Sequence, residues 1–189
     1  MKSMQTEQRY TYQEYLSWPE GEQYELVDGV AYAKSPAPSY GHQKLSLEIA
    51  RQLGNQLLRR ECQVFAAPFD VKLTGPDQDD APTVVQPDIM VGCDPERFNS
   101  RGHLGAPDLI VEIVSPDSGI VDRKRKFALY EQHGVLEYWI VDEEERVVEV
   151  YLLDKGGRYS RRGAYGPEET LSATAVSELS VDLRLVFSV

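Results

Sequence analysis

The sequence predicts a mixed α+β fold, and three observations carry that expectation. Strand-like runs are spread along the whole chain, from Tyr24–Val27 to a last alternating run over Val181–Phe187. Helical patterns interrupt them at only a few places, chiefly Tyr40 to Arg60 and the segment that ends at Gly134. Two central runs, Val84–Val91 and Asp108–Ser115, place Asp88 and Glu112 among apolar neighbours. Helices scattered within a strand-rich chain argue against a doubly wound parallel sheet. The 189 residues fit one domain spanning 1–189, long enough to bury a self-sufficient core without structural metal or disulfides.

Each element has a local reason. Thr11-Tyr12-Gln13-Glu14 is a capping box that opens a short helix ending before Pro19. Asp28-Gly29 supplies the positive φ angles of a tight turn, so Tyr24–Val27 and Val30–Ala33 form a hairpin. Leu45, Ile49, Leu53 and Leu57 mark the apolar stripe of the first long helix, and His42 lies on the same stripe. Cys62 to Leu73 reads as a strand, Thr74 to Thr83 as an acidic loop, and Gly92 to Pro107 as irregular. Asp117 or Ser118 caps the second long helix, and Gly134 ends it. Leu136–Val141 is apolar enough to be a fully buried strand. Arg146–Leu153 and Tyr159–Ala164 follow as a meander turning near Lys155-Gly156-Gly157.

Composition narrows the function. The net charge is −11, which opposes tight electrostatic binding of duplex nucleic acid. Positive charge is local, at Arg123–Lys126, Arg59-Arg60 and Arg158 with Arg161-Arg162. Cys62 and Cys93 lack C-x-x-C spacing, so neither a zinc site nor a redox motif is indicated and nothing asks for an oxidising compartment. No N-terminal apolar region and no run near the ~18 apolar residues of a membrane span is present, so a cytoplasmic location is expected. No Ser-His-acid order, phosphate-cradling glycine loop or dinucleotide fingerprint occurs.

The carboxylates are the informative feature. Side chains alternate along a strand, so Ile110, Glu112 and Val114 share one face and Leu109, Val111 and Ile113 the other. Glu112 is then an interior carboxylate, which costs several kcal/mol, roughly, unless a cation meets it. At 100° per residue, Asp122, Lys126, Leu129, Tyr130 and His133 share a helix face while Lys124 and Glu131 fall opposite. Lys126 is therefore the expected partner of Glu112, the plainer alternative being a surface Asp122–Lys126 pair. Asp88 and Glu112 converging from adjacent strands make a hard-oxygen site suited to magnesium or manganese.

Several stretches together resemble a known family. They are Thr11–Leu16, Tyr24–Gly29, Ser35–Pro38, Gln86-Pro87-Asp88, Asp108–Pro116, Asp122-x-x-x-Lys126 and Gly134–Asp142. Their order resembles the PD-(D/E)XK nuclease superfamily and, within it, the Uma-two family of restriction-endonuclease-like proteins. The resemblance implies a restriction-endonuclease-like core: a central mixed sheet flanked by helices, with an N-terminal hairpin and a C-terminal strand meander. It also implies magnesium-dependent hydrolysis of DNA phosphodiester bonds. Asp88, Glu112 and the main-chain carbonyl of Ile113 would hold the metal, Glu25 would be the upstream acidic residue, and Lys126 would assist the attacking water. The superfamily lysine two residues after the glutamate is replaced by Val114, and Lys126 on the helix takes its place. His42 either lines the pocket or is a satisfied core histidine, and Asp122 is a further pocket candidate. Expected partners are DNA, bound weakly or only with metal, and a second copy of the chain. The other readings are a catalytically silent nuclease-fold module that binds nucleic acid or protein, and hydrolysis of a non-nucleic phosphodiester.

Overall fold

The computed structural model describes residues 8–19, 24–33, 38–80, 82–114 and 120–188, with the backbone alone for residues 120–122. Helix α1 (Tyr12–Leu16) precedes the hairpin β1 (Tyr24–Val27) and β2 (Val30–Ala33), then helix α2 (Tyr40–Leu57). Strands β3 (Gln63–Ala66), β4 (Val71–Lys72), β5 (Val84–Val85) and β6 (Ile89–Gly92) follow. A single-turn helix at Pro95–Arg97 leads into β7 (Phe98–Asn99), β8 (Gly102–Leu104) and β9 (Leu109–Val114). Next come helix α3 (Ile120–His133), β10 (Glu137–Asp142), β11 (Val147–Leu153) and β12 (Tyr159–Tyr165). Strands β13 (Thr170–Ser172) and β14 (Ser180–Asp182) and helix α4 (Leu183–Phe187) complete the described chain.

The strands form two six-stranded sheets and one small pair. The main sheet runs β12-β11-β10-β9-β6-β3 and is mixed, with β9 and β10 parallel and the other neighbours antiparallel. The second runs β2-β1-β5-β4-β8-β7. The expected alternation along β9 is present. Leu109, Val111 and Ile113 join the core cluster containing Leu45, Ile49, Leu53 and Leu57 of α2. Ile110 joins the cluster containing Leu129 and Tyr130 of α3. The two long helices thus cover opposite faces of one strand, and Glu112 points to the α3 side.

The predicted caps and turns are in place. Thr11 Oγ1 accepts the Glu14 N–H at 3.2 Å while Glu14 Oε2 accepts the Thr11 N–H at 2.7 Å. Asp28 and Gly29 both take positive φ, 50° and 81°, and Gly134 ends α3 at φ 86°. The expected start of α3 at Asp117 or Ser118 lies outside the described residues.

Four expectations are corrected. Val84–Val91 is not one strand: β5 belongs to the second sheet and β6 to the main one. Pro87 lies between them, and a residue without an N–H cannot continue a ladder. Cys62–Leu73 divides in the same way, with β3 and β4 in different sheets. Val181–Phe187 is β14 followed by α4, because Asp182 caps a helix by accepting the Arg184 N–H at 2.9 Å. The cysteines are paired: β3 and β6 place Gln63 opposite Gly92, which brings Cys62 onto Cys93 in a disulfide.

The C-terminal part is latched by a buried charge. Glu137, fully buried, accepts the Trp139 indole N–H at 2.8 Å and the backbone N–H groups of Thr174 and Ala175 at 2.6 and 2.7 Å. No helix among the described residues is long and apolar enough to cross a membrane.

Candidate active site

Four elements bring the candidate side chains together. Glu112 occupies the middle of β9, 6% exposed, with β6 and β10 on either side. Lys126, one turn before Tyr130 on α3, places Nζ 2.9 Å from Glu112 Oε1 and 3.4 Å from Glu25 Oε1. Glu25 comes from β1 and is 4% exposed. The Gln86 N–H donates to its Oε1 at 3.2 Å, and Arg125 approaches its Oε2 at 3.8 Å.

Asp88 sits just before β6, where the chain has crossed from the second sheet. Its Oδ2 accepts the Ile113 N–H at 2.8 Å and meets His42 Nε2 at 3.2 Å. His42 therefore faces the site and is not a satisfied core histidine; among the described residues its buried Nδ1 has no hydrogen-bond partner. Ser39 caps α2 by accepting the His42 N–H at 3.0 Å, which fixes the turn that carries the imidazole. Asp122 is on α3 one turn before Lys126, and its side chain lies outside the described residues.

Two features of α3 go beyond the helical-face reading. The buried Tyr130 hydroxyl donates to Glu112 Oε1 at 2.6 Å, making it part of the site and not only packing. Glu131 does not face solvent, because it accepts the Tyr159 N–H at 2.6 Å and pairs with Arg158.

The electrostatics follow from the crowding of acids. Glu112 is raised to about 7: burial is the largest cause and the Asp88 and Glu25 charges add to it, while Lys126 and the Tyr130 hydroxyl oppose it. Burial also acts to raise Asp88, but the His42 hydrogen bond and charge, the Ile113 N–H and Lys126 outweigh it and hold the carboxyl below its ordinary range. The hydrogen bond to Asp88 lifts His42; burial opposes this, while the Asp88, Glu112 and Glu143 charges add to it. Three carboxylates thus converge with the cationic Lys126 and Arg125 and with His42.

The donor set suits a hard divalent cation. Among the described residues, Asp88 uses only Oδ2 and Glu112 only Oε1 in hydrogen bonds and ion pairs, leaving one oxygen on each. Among the described residues no three His, Cys, Asp or Glu side chains gather as a metal cage; magnesium commonly completes its coordination with main-chain oxygen and water. Ile113 can supply one. In an extended strand the N–H and C=O of one residue face the same neighbour, here the Asp88 side. Extending the β6–β9 register, in which Ile89 faces Val111, brings Pro87 opposite Ile113, and proline has no N–H to occupy that carbonyl.

A separate cavity of about 800 Å³ lies at the other ends of β6 and β9, lined by Cys93, Asp94, Arg97, His103, Asp108 and His133 among others. It contains none of the residues above.

Three comparisons place the chain among known proteins. The crystal structure of a "putative nuclease" from Anabaena variabilis superposes with a TM-score of 0.70, at 23% identity, over 94% of this chain and 97% of the other. That likeness bears on the fold. An uncharacterised protein of Synechocystis sp. is 28% identical over 148 residues, 77% of this chain and 75% of the relative. The profile of the Uma-two (Uma2) family, described as "putative restriction endonuclease", matches residues 12–185. The chain belongs to that family.

Proposed function

We propose that the chain is a magnesium- or manganese-dependent endonuclease that hydrolyses phosphodiester bonds of DNA. The observation that carries this reading is the meeting of Glu112, Glu25 and Lys126 from three elements, with Asp88 held next to β9 through the Ile113 N–H. Buried carboxylates cost several kcal/mol, roughly, unless cations offset them, and a divalent ion would add to what Lys126, Arg125 and His42 supply.

The residues divide the work. Asp88, Glu112 and the Ile113 carbonyl hold the cation. When bound, it lowers the pKa of an attacking water and offsets charge building on the phosphate oxygens. Lys126, its ammonium oriented by Glu112 and Glu25, would stabilise the negative charge that develops during attack. Tyr130 fixes the Glu112 carboxylate so that one oxygen stays directed outward, and His42 does the same for Asp88.

The test is cleavage of supercoiled plasmid, together with magnesium binding followed by thermal shift, for the full chain and two variants. Asp88→Asn is expected to lose both magnesium binding and cleavage. Lys126→Ala is expected to keep magnesium binding and lose cleavage. If both variants nick plasmid as the parent does, the assignment is wrong. If the parent binds magnesium without cutting any nucleic acid, the chain is the catalytically silent module, a reading its charge of −11 favours.

A further inference from the structure

Asp88 is held from two sides, and both holds lead to one further carboxylate. On β9, the Ile113 N–H donates to Asp88 Oδ2 at 2.8 Å, and the carbonyl of the next residue, Val114, accepts the Glu143 N–H at 3.5 Å. On α2, His42 Nε2 meets the same Asp88 oxygen at 3.2 Å, and the His42 N–H donates to Ser39 Oγ at 3.0 Å. The Ser39 hydroxyl in turn donates to Glu143 Oε2 at 3.4 Å. These contacts close a ring from Asp88 through His42, Ser39, Glu143 and β9 back to Asp88.

Glu143 joins the ring for local reasons. It follows β10, where Asp142 Oδ1 accepts the N–H groups of Glu144 and Glu145 at 3.1 and 2.9 Å and so turns the chain. Glu144 and Glu145 are exposed, whereas Glu143 is half-buried. Its carboxylate lies against the first turn of α2, and the N-terminal end of an 18-residue helix favours negative charge. Gly41 permits that approach, because a Cβ there would overlap Glu143 Oε1. A serine hydroxyl has one proton, so giving it to Glu143 keeps an Oγ lone pair on the His42 N–H.

We propose that Glu143 is a positioning residue for Asp88, acting through Ser39 and His42. That role rests on the nuclease reading above, in which Asp88 is a metal ligand. With Oδ2 held by both β9 and His42, Oδ1 is left for the cation. Without Glu143 the turn that carries the imidazole loosens, and one of the two holds on Asp88 weakens with it. Groups that orient a metal ligand commonly matter to metal affinity nearly as much as the ligand does.

The full chain is compared with Glu143→Ala, Glu143→Gln and Gly41→Ala. Alanine suits a helix better than glycine, and a cavity of about 300 Å³ beside Glu143 leaves room for a displaced carboxylate. Gly41→Ala is therefore expected to unfold in urea no earlier than the parent while Glu143 loses its place. Two further quantities are read: exchange of the His42 amide hydrogen in EDTA by NMR, and magnesium affinity by calorimetry. In Glu143→Ala and Gly41→Ala the amide should exchange about five-fold or more faster and magnesium should bind about five-fold or more weakly. Glu143→Gln still accepts the Ser39 proton and should stay within about two-fold of the parent in both. Parent-like exchange in both alanine variants, faster exchange at undiminished magnesium affinity, or a glutamine variant as impaired as Glu143→Ala would overturn the role. So would a magnesium defect in Gly41→Ala matched by earlier unfolding. Failure of the nuclease reading is seen separately, as a parent that neither binds magnesium nor nicks plasmid; the exchange measurement in EDTA then still decides whether Glu143 holds His42.

Discussion

At the scale of single residues, the site depends on how Glu112 is held. Its Oε1 receives both the Lys126 ammonium and the Tyr130 hydroxyl, and a buried carboxylate that loses one such donor is left partly unsatisfied. Tyr130→Phe removes the hydroxyl and nothing else. It is expected to cost about 1.5–3 kcal/mol in urea unfolding, the usual range for a hydrogen bond to a charged group, and to weaken magnesium binding in the same preparation. Unchanged stability and unchanged magnesium affinity would mean that Lys126 alone orients the carboxylate. Lys126 was legible in the sequence because it lies one turn before a face that must pack, in register with Leu129 and Tyr130. The Tyr130 hydroxyl was not, because a tyrosine on a packing face reads as apolar until its oxygen is located. His42 was half legible: its place on the apolar stripe showed that it turns inward, but the partner it meets could not be read.

At the scale of elements, the alternating pattern of β9 and the stripe of α2 carried most of the information. The strand breaks did not show, since Val84–Val91 and Cys62–Leu73 are apolar on both sides of the residues where the chain changes sheets. Pro87 was the available signal for the first break, and Asp182, as a helix cap, for the C-terminal turn. Strand β8 adds a titration that periodicity cannot reveal. Burial holds His103 below its ordinary pKa; the Gly105 carbonyl, Asp108 and Asp94 pull it upward, and Arg97 downward. His133, at the end of α3, is lowered by burial against the charge of Asp28. A histidine whose folded pKa is depressed stays neutral while the unfolded chain takes up a proton, so stability is lost as pH falls below about 6.5. Glu112 and His42, whose pKa values are raised in the folded protein, act in the opposite sense, so the His103 contribution is read as a difference between two proteins. From pH 7.5 to pH 5.5 the parent is expected to lose more denaturant stability, or gain less, than His103→Asn, and an equal change in both would remove His103 as a source.

At the scale of the whole molecule, two sheets meet where β5 passes into β6, and Asp88 is positioned by that crossing. The carboxylate pair was legible as two charged residues in apolar runs; the fact that Asp88 precedes its strand became visible only with the topology. The disulfide lay beyond reach for the same reason, since Cys62 and Cys93 are 31 residues apart and only the β3–β6 register makes them neighbours. It ties the edge strand β3, on which α2 packs, to the strand that follows Asp88. Closing a loop of that length stabilises a fold by about 3–4 kcal/mol in the chain-entropy estimate. Chemical unfolding with and without a reductant is expected to show a loss of about that size, while equal midpoints would mean that the strand pairing holds without the bond.

The proposed function requires Asp88 and Glu112 to share one hard divalent cation. The most direct measurement is anomalous diffraction from a crystal soaked in manganese. A single strong peak between the Asp88 and Glu112 carboxylates, within reach of the Ile113 carbonyl, is the predicted result. Manganese bound elsewhere on the chain, with both carboxylates still held only by Lys126, Tyr130 and His42, would contradict it.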